Sequence, residues 1–145
     1  MKLQQISVFL ENRSGHLAEP LDLLAREGIN LLGLSLADTA EFGILRLIVR
    51  DWGRAESLLR EAGWVVKLTE VVPVDVEDHP GGLAAVLRSA GEADLKIEYM
   101  YAFSLRHPGR AALIFRFAEP DRAVAHLTQA GFRVLEAEPL LAAVE

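Results

Sequence analysis

The sequence contains no cysteine. Disulfides, thiolate nucleophiles and sulfur-ligated zinc or iron–sulfur centres are excluded together, so the fold must stand on packing alone. Runs of basic residues are missing too. The 15 Lys and Arg are scattered singly among 21 Asp and Glu, for a net charge of −6. Such a surface offers no electrostatic footprint for nucleic acid or an anionic membrane face. No apolar stretch approaches a membrane span, and the opening MKLQQISVFL is broken by Gln4, Gln5 and Ser7 where a signal peptide would have an unbroken apolar core. The expectation is a cytoplasmic protein with neither a nucleic-acid nor a membrane partner.

Catalytic signatures are equally scarce. There is no GxSxG, no P-loop and no GxGxxG following a strand. The histidines, His16, His79, His107 and His126, form no His-x-x-x-His pair, and no carboxylate recurs at ligand spacing. The sequence therefore predicts no catalytic residue, no metal site and no cofactor, and the chain is expected not to be an enzyme. His126 occupies a helix position that Leu58 holds earlier in the chain, which reads as a half-buried structural histidine. Apolar residues make up 51% of the chain, enough for a packed core and no case for disorder.

What the sequence does have is a repeat. Laying Gly15 on Gly81 brings Leu17, Ala18, Leu21, Ile29 and Leu31 onto Leu83, Ala84, Leu87, Leu95 and Ile97, and Ile6, Val8 and Leu10 onto Val72, Val74 and Val76. Further on, Gly63 falls on Gly131 at a spacing two residues longer, carrying Arg54, Ala55, Leu59 and Trp64 onto Arg122, Ala123, Leu127 and Phe132. The extra two residues are assigned to the RHPG stretch, Arg106 to Gly109, since loops tolerate insertion.

Each copy reads strand, helix, strand, strand, helix, strand. Alternating Ile6, Val8 and Leu10 give a strand with one buried face. Leu17, Leu21 and Leu24 form one helical stripe, ended by Gly28. Pro20 is tolerated only if this helix begins near Leu17, where the first N–H groups have no intrahelical partner to lose. Strands are predicted over Ile29 to Asp38 and Ile44 to Arg50, with a turn over Ala40 to Gly43. Asp51 caps a second helix whose face carries Trp52, Ala55, Leu59 and Ala62, with Gly63 as its left-handed stop. Trp64 to Val72 closes the copy, and Pro73 marks a joint to the next strand, Pro73 to Glu77. The order is that of the split β-α-β-β-α-β plan, an α+β fold with a four-stranded antiparallel sheet and both helices on one face. Two tandem ferredoxin-like modules are predicted, residues 1–71 and 72–145.

The segments ENRSGHLAEPLDLLAREGINL, FGILRLIV and EAGWVV, with HPGGLAAVL, AALIFRF and QAGFRV in the second copy, resemble the ACT domain family, regulatory modules that bind amino acids. The resemblance covers nearly the whole chain and implies a stand-alone tandem member. It implies modules paired edge to edge, with the effector near the loop between first strand and first helix and near the start of the second strand. Carried onto this sequence, that indicates Asn12, Gly15, His16, Leu17 and Asn30. Ser14 stands where the family usually has proline, and the second copy has Asp78 and Lys96 at the positions of Asn12 and Asn30.

The residue chemistry agrees. A glycine at the mouth of a helix lets the backbone approach a ligand, and the helix-end N–H groups favour a carboxylate. Asn side chains both donate and accept, which suits an ammonium or a hydroxyl. One asymmetry stands out: Tyr99, Tyr101 and Phe103 share a strand face, while the matching Gly33, Ser35 and Ala37 are small. Ser14, Ser35, Tyr99 and Tyr101 join the candidate ligand-binding set on that account. The sheet edges need pairing or covering, so a homodimer is expected. The competing reading is a structural or adaptor dimerisation module that recruits a protein partner through its edges without a ligand.

Overall fold

The computed structural model describes residues 2–11, 13–38 and 41–144. Asn12 and Ala40, a proposed ligand contact and the start of the proposed hairpin turn, lie outside them. The chain divides into two compact units. The first is Gln4–Thr69, and the second is Lys2 and Leu3 together with the described residues from Glu70 onward.

In the first unit the elements are β1 (Leu3–Glu11), α1 (Ala18–Arg26), β2 (Gly33–Asp38), β3 (Phe42–Ile48), α2 (Trp52–Glu61) and the opening of β4 (Val65–Glu77). The strand order is β2-β3-β1-β4, with β1 and β2 both antiparallel to β3. Ile6, Val8 and Leu10 of β1 and Leu45 and Leu47 of β3 face the helices, where they pack with Leu24 of α1 and Ala55 and Leu59 of α2. Helix α1 starts at Ala18, so Pro20 sits in its first turn, where its missing N–H removes no intrahelical bond. Asp51 caps α2 by accepting from the Arg54 amide at 3.2 Å, and Gly63 takes φ +94° after it. Ala62, placed on the buried face by its spacing, is exposed instead.

β2 begins at Gly33 and not at Ile29. After Gly28, Ile29 and Leu31 turn into the core beside α1 and are spent on packing before the chain reaches the sheet. β4 also departs from expectation, because it runs through Pro73 without a break. Pro73 lies opposite Ile114 of β6, and its carbonyl accepts from the Leu135 amide at 2.9 Å, on the edge where the neighbouring strand ends. A residue's N–H and C=O point to the same side of a strand, so the donor that proline lacks faces a ladder that stops there.

The second unit comprises β4 from Glu70, α3 (Gly82–Glu92), β5 (Ile97–Ser104), β6 (Arg110–Phe117), α4 (Pro120–Gln129), β7 (Arg133–Val134) and α5 (Ala137–Val144). β4, β6 and β5 are neighbours in that order, and β7 pairs with β4. Val72, Val74, Val76, Leu113, Phe115 and Phe117 meet Val86, Ala90, Ala123 and Leu127 of the two helices in a core built like the first. The last strand is cut to two residues, and the chain turns into α5, whose Leu140 and Leu141 are buried. His126 is half-buried, within hydrogen-bond reach of both the hydroxyl (2.9 Å) and the carbonyl (3.1 Å) of Ser89, a structural role.

Candidate functional site

The loop between β1 and α1 places His16 so that Nδ1–H donates to the Glu11 carbonyl at 2.9 Å, while the ring lies 5.2 Å from the Trp64 ring. Gly15 takes φ +83°, and Leu17, at the N-cap of α1, makes no side-chain capping bond. Beside His16 opens a pocket of about 530 Å3. Phe9, Phe42, Ile44 and Trp64 make it apolar, Glu11 and His16 stand at its rim, and Gly63 and Val65 complete it.

The second unit has a pocket at the corresponding place, about 320 Å3, formed by Asp75, Glu77, His79, Gly81, Gly82, Arg110, Phe132 and Arg133 among others. The sheet registers make the equivalence firm, because Glu11 opposes Phe42 as Glu77 opposes Arg110. At the equivalent positions Phe9, Phe42 and Val65 become Asp75, Arg110 and Arg133. Asp75 is 7% exposed and accepts from Arg110 Nε at 2.8 Å through one oxygen, while Arg133 Nη1 is 3.3 Å from the other. His79 Nδ1–H donates to the Pro80 carbonyl at 2.8 Å, and Nε2 lies 2.8 Å from the Glu77 carboxylate. The Pro80 bond first and the Glu77 bond second raise the His79 pKa above its ordinary value. Gly82 stands where the first unit has His16, and a Cβ there would lie 2.4 Å from the Glu77 carbonyl oxygen. One pocket is an apolar basin with an imidazole at its lip, and its counterpart is cross-tied by ion pairs.

Of the candidate ligand contacts, Ser14, Gly15, His16 and Leu17 come together at the β1–α1 loop. Asn30 does not join them. Gly33 pairs with Ile48 and the Leu32 amide donates to the Ile48 carbonyl, so Asn30 lies at the Ile48 end of β3, while Glu11 pairs at the Phe42 end. The nine residues of α1, about 13 Å of helix, separate Asn30 from Leu17. Ser35 is half-buried in mid-strand opposite Arg46. Tyr99, Tyr101 and Phe103 are half-buried on one face of β5, opposite Arg116, Ile114 and Ala112 and away from Met100, which packs on the second core. Residue spacing alone missed Phe9, Phe42 and Trp64. The signal for Phe9 and Phe42 is the contrast with Asp75 and Arg110, visible once strand pairing fixes which positions correspond, whereas Trp64 is matched by the aromatic Phe132.

Among the described residues no group of three or more His, Asp or Glu side chains is placed to hold a metal ion, and no helix is long and apolar enough to cross a membrane.

Two units of this plan, each with helices on one sheet face and a pocket at the strand-to-helix loop, define a paired ferredoxin-like α+β fold. The chain belongs to the ACT domain family, matching the ACT domain pair over residues 1–142. It is similar to a solved protein of Bacteroides thetaiotaomicron, with 38% identity, a TM-score of 0.90, and 97% of this chain and 96% of that one covered. The regulatory subunit of aspartate kinase from Thermus thermophilus, in its ligand-free form, shares the fold at 17% identity and a TM-score of 0.65, covering 90% and 94% of the two chains. The corresponding subunit from Thermus flavus does so at 18% identity and 0.62, covering 90% and 93%. No curated protein matches the sequence.

Proposed function

We propose that the protein is a non-enzymatic sensor that binds one small apolar amino acid in its first unit. The carboxylate lies toward the N-terminal end of α1, the ammonium toward the side chain of Asn12, and the side chain fills the basin between Phe9, Phe42 and Trp64. The carrying observation is that basin of about 530 Å3 opening beside His16, while its smaller counterpart in the second unit is lined by Asp75 and two arginines. A helix N-terminus favours an anion, and an apolar pocket with a few polar groups at its rim suits a ligand of mixed character.

Calorimetry with leucine, isoleucine, valine and phenylalanine tests it. The double variant Phe9→Asp, Phe42→Arg, which writes the second pocket into the first, loses binding while remaining folded, and Asp75→Ala retains it. Asn12→Ala weakens binding about tenfold through one or two lost hydrogen bonds. Ligand at a hundred times its dissociation constant raises stability by about 2.7 kcal/mol. Absence of binding by all four amino acids, or binding undisturbed by the double variant, removes the assignment.

A second reading has its own support. Among the described residues β2 pairs only with β3 in its unit, and its Leu34 and Leu36 are 53% and 40% exposed. An exposed apolar edge strand is a template for strand pairing, which favours homodimerisation through β2. Light scattering tests it: Leu34→Lys with Leu36→Lys converts a dimer into monomers, and a parent protein that is monomeric at tens of micromolar defeats the reading.

A further inference from the structure

The second unit contains a cavity unrelated to the β1–α1 loop and its counterpart. It measures about 350 Å3 and is lined by β4 from Glu70 to Pro73, by α4, and by Leu3 and Leu135. The repeat explains why it is there. At the equivalent positions of the first unit stand Trp52 and Leu68, both packed against that unit's core. In the second unit these become Pro120 and Glu136, both in the cavity wall. An indole and an isobutyl group are replaced by a small ring and a carboxylate, so filling is lost and charge gained.

Four charged side chains border the cavity: Glu70, Asp121, Glu136 and Lys2. Glu70 and Asp121 meet at Lys2, two carboxylates on one ammonium. Lys2 Nζ itself reaches the carboxylates of both Glu70, at 3.3 Å, and Asp121. An ammonium group therefore already sits where these two carboxylates converge, at the mouth of an apolar space. Lys2 is exposed at 45%, so its ion pairs are weak enough to exchange.

We propose that this cavity binds a small amphiphile with a short branched aliphatic body and a primary ammonium head. The body packs against Val72, Val124 and Leu135, and the head replaces the Lys2 ammonium between Glu70 and Asp121. The volume lies at the small end of ligand sites, which suits a molecule of a few carbons and excludes a peptide segment. A bare cation gains nothing from the apolar walls, and an anion meets the wrong charge at the rim.

The test is amide-resolved NMR titration of the full chain with 3-methylbutylamine, its neutral analogue 3-methylbutan-1-ol, and 3-methylbutanoate. The amine shifts the amides of Val72, Val124 and Ala125 saturably and leaves those of His16 and Trp64 in place, which separates this site from the first-unit pocket. The alcohol binds about fivefold more weakly and the carboxylate does not bind. Asp121→Asn weakens the amine about fivefold, Lys2→Met strengthens it, and Ala125→Trp, on an exposed helix position, fills the space and abolishes it. Unmoved cavity amides, an alcohol that binds as well as the amine, or an amine indifferent to both Ala125→Trp and Asp121→Asn each overturn the proposal.

Discussion

Arg110 donates from Nε to the Asp75 carboxylate over 2.8 Å at the two positions that the first unit fills with Phe42 and Phe9. Asp75 is buried and Arg110 is about one-third exposed, so most of the cost of desolvating this pair falls on the carboxylate. Removing either partner leaves the other poorly compensated.

Asp75→Ala strands the Arg110 guanidinium and is expected to cost about 2–3 kcal/mol. Arg133→Ala is expected to cost no more than about 0.5 kcal/mol, because that side chain is 69% exposed and its ion pair is screened by water. Urea unfolding of the two variants measures the ordering. Equal losses would mean that Arg133 shares fully in holding the carboxylate.

Gly82 opens α3 and Gly15 lies in the loop before α1, and each is glycine for a different reason. At Gly82 a Cβ meets the Glu77 carbonyl oxygen at 2.4 Å, and backbone cannot step aside, so Gly82→Ala is expected to lose about 2–3 kcal/mol. At Gly15 space is open and the demand is only for φ +83°, so Gly15→Ala loses about 1 kcal/mol. Thermal unfolding of both variants shows the difference as unequal Tm depressions.

His79 is expected to titrate above 6.5, since its bonds to the Pro80 carbonyl and the Glu77 carboxylate are both best made by the imidazolium. A pKa raised on folding means that these bonds support the fold fully below 6.5 and that their contribution fades as pH rises through the folded value. Proton NMR of the ring follows the titration directly. Glu77→Gln lowers the midpoint only partly, because the Pro80 bond is the larger cause.

Leu140 is fully buried in a helix that the repeat did not predict. Leu140→Ala is expected to cost about 2–4 kcal/mol in chemical denaturation, as for any core leucine. A loss below about 0.5 kcal/mol, as for a surface position, would show that α5 does not belong to the folded unit.

The tandem plan, the helix starts at Ala18 and Trp52 and the glycine stops were legible because each rests on a local rule: a cap, a φ requirement or a periodic stripe. What failed depended on tertiary partners. Ile29 and Leu31 carry strand chemistry but are drawn into the core beside α1, and Pro73 reads as a break until the neighbouring strand is known to end beside it. The tail from Ala137 gives no repeat signal, because the first copy has strand at the corresponding positions. For the site, the loop from Ser14 to Leu17 was visible from its glycine and the following helix. The apolar basin was hidden, since Phe9, Phe42 and Trp64 are far apart in sequence and meet only through strand register. Asn30 was drawn in by family resemblance, yet one unit holds it at the far end of α1.

The exchange of Phe9, Phe42 and Val65 for Asp75, Arg110 and Arg133 also constrains the order in which one set can replace the other by single substitutions. The positions of Phe42 and Val65 are 61% and 67% exposed, and an arginine arriving there first is solvated and nearly neutral. The aspartate position is 39% exposed where it is Phe9 and 7% exposed where it is Asp75, so burial of the carboxylate goes with the presence of its two arginines. Reverted one codon at a time, Arg133 goes first at little cost because its side chain is 69% exposed, while Asp75 and Arg110 are best exchanged together.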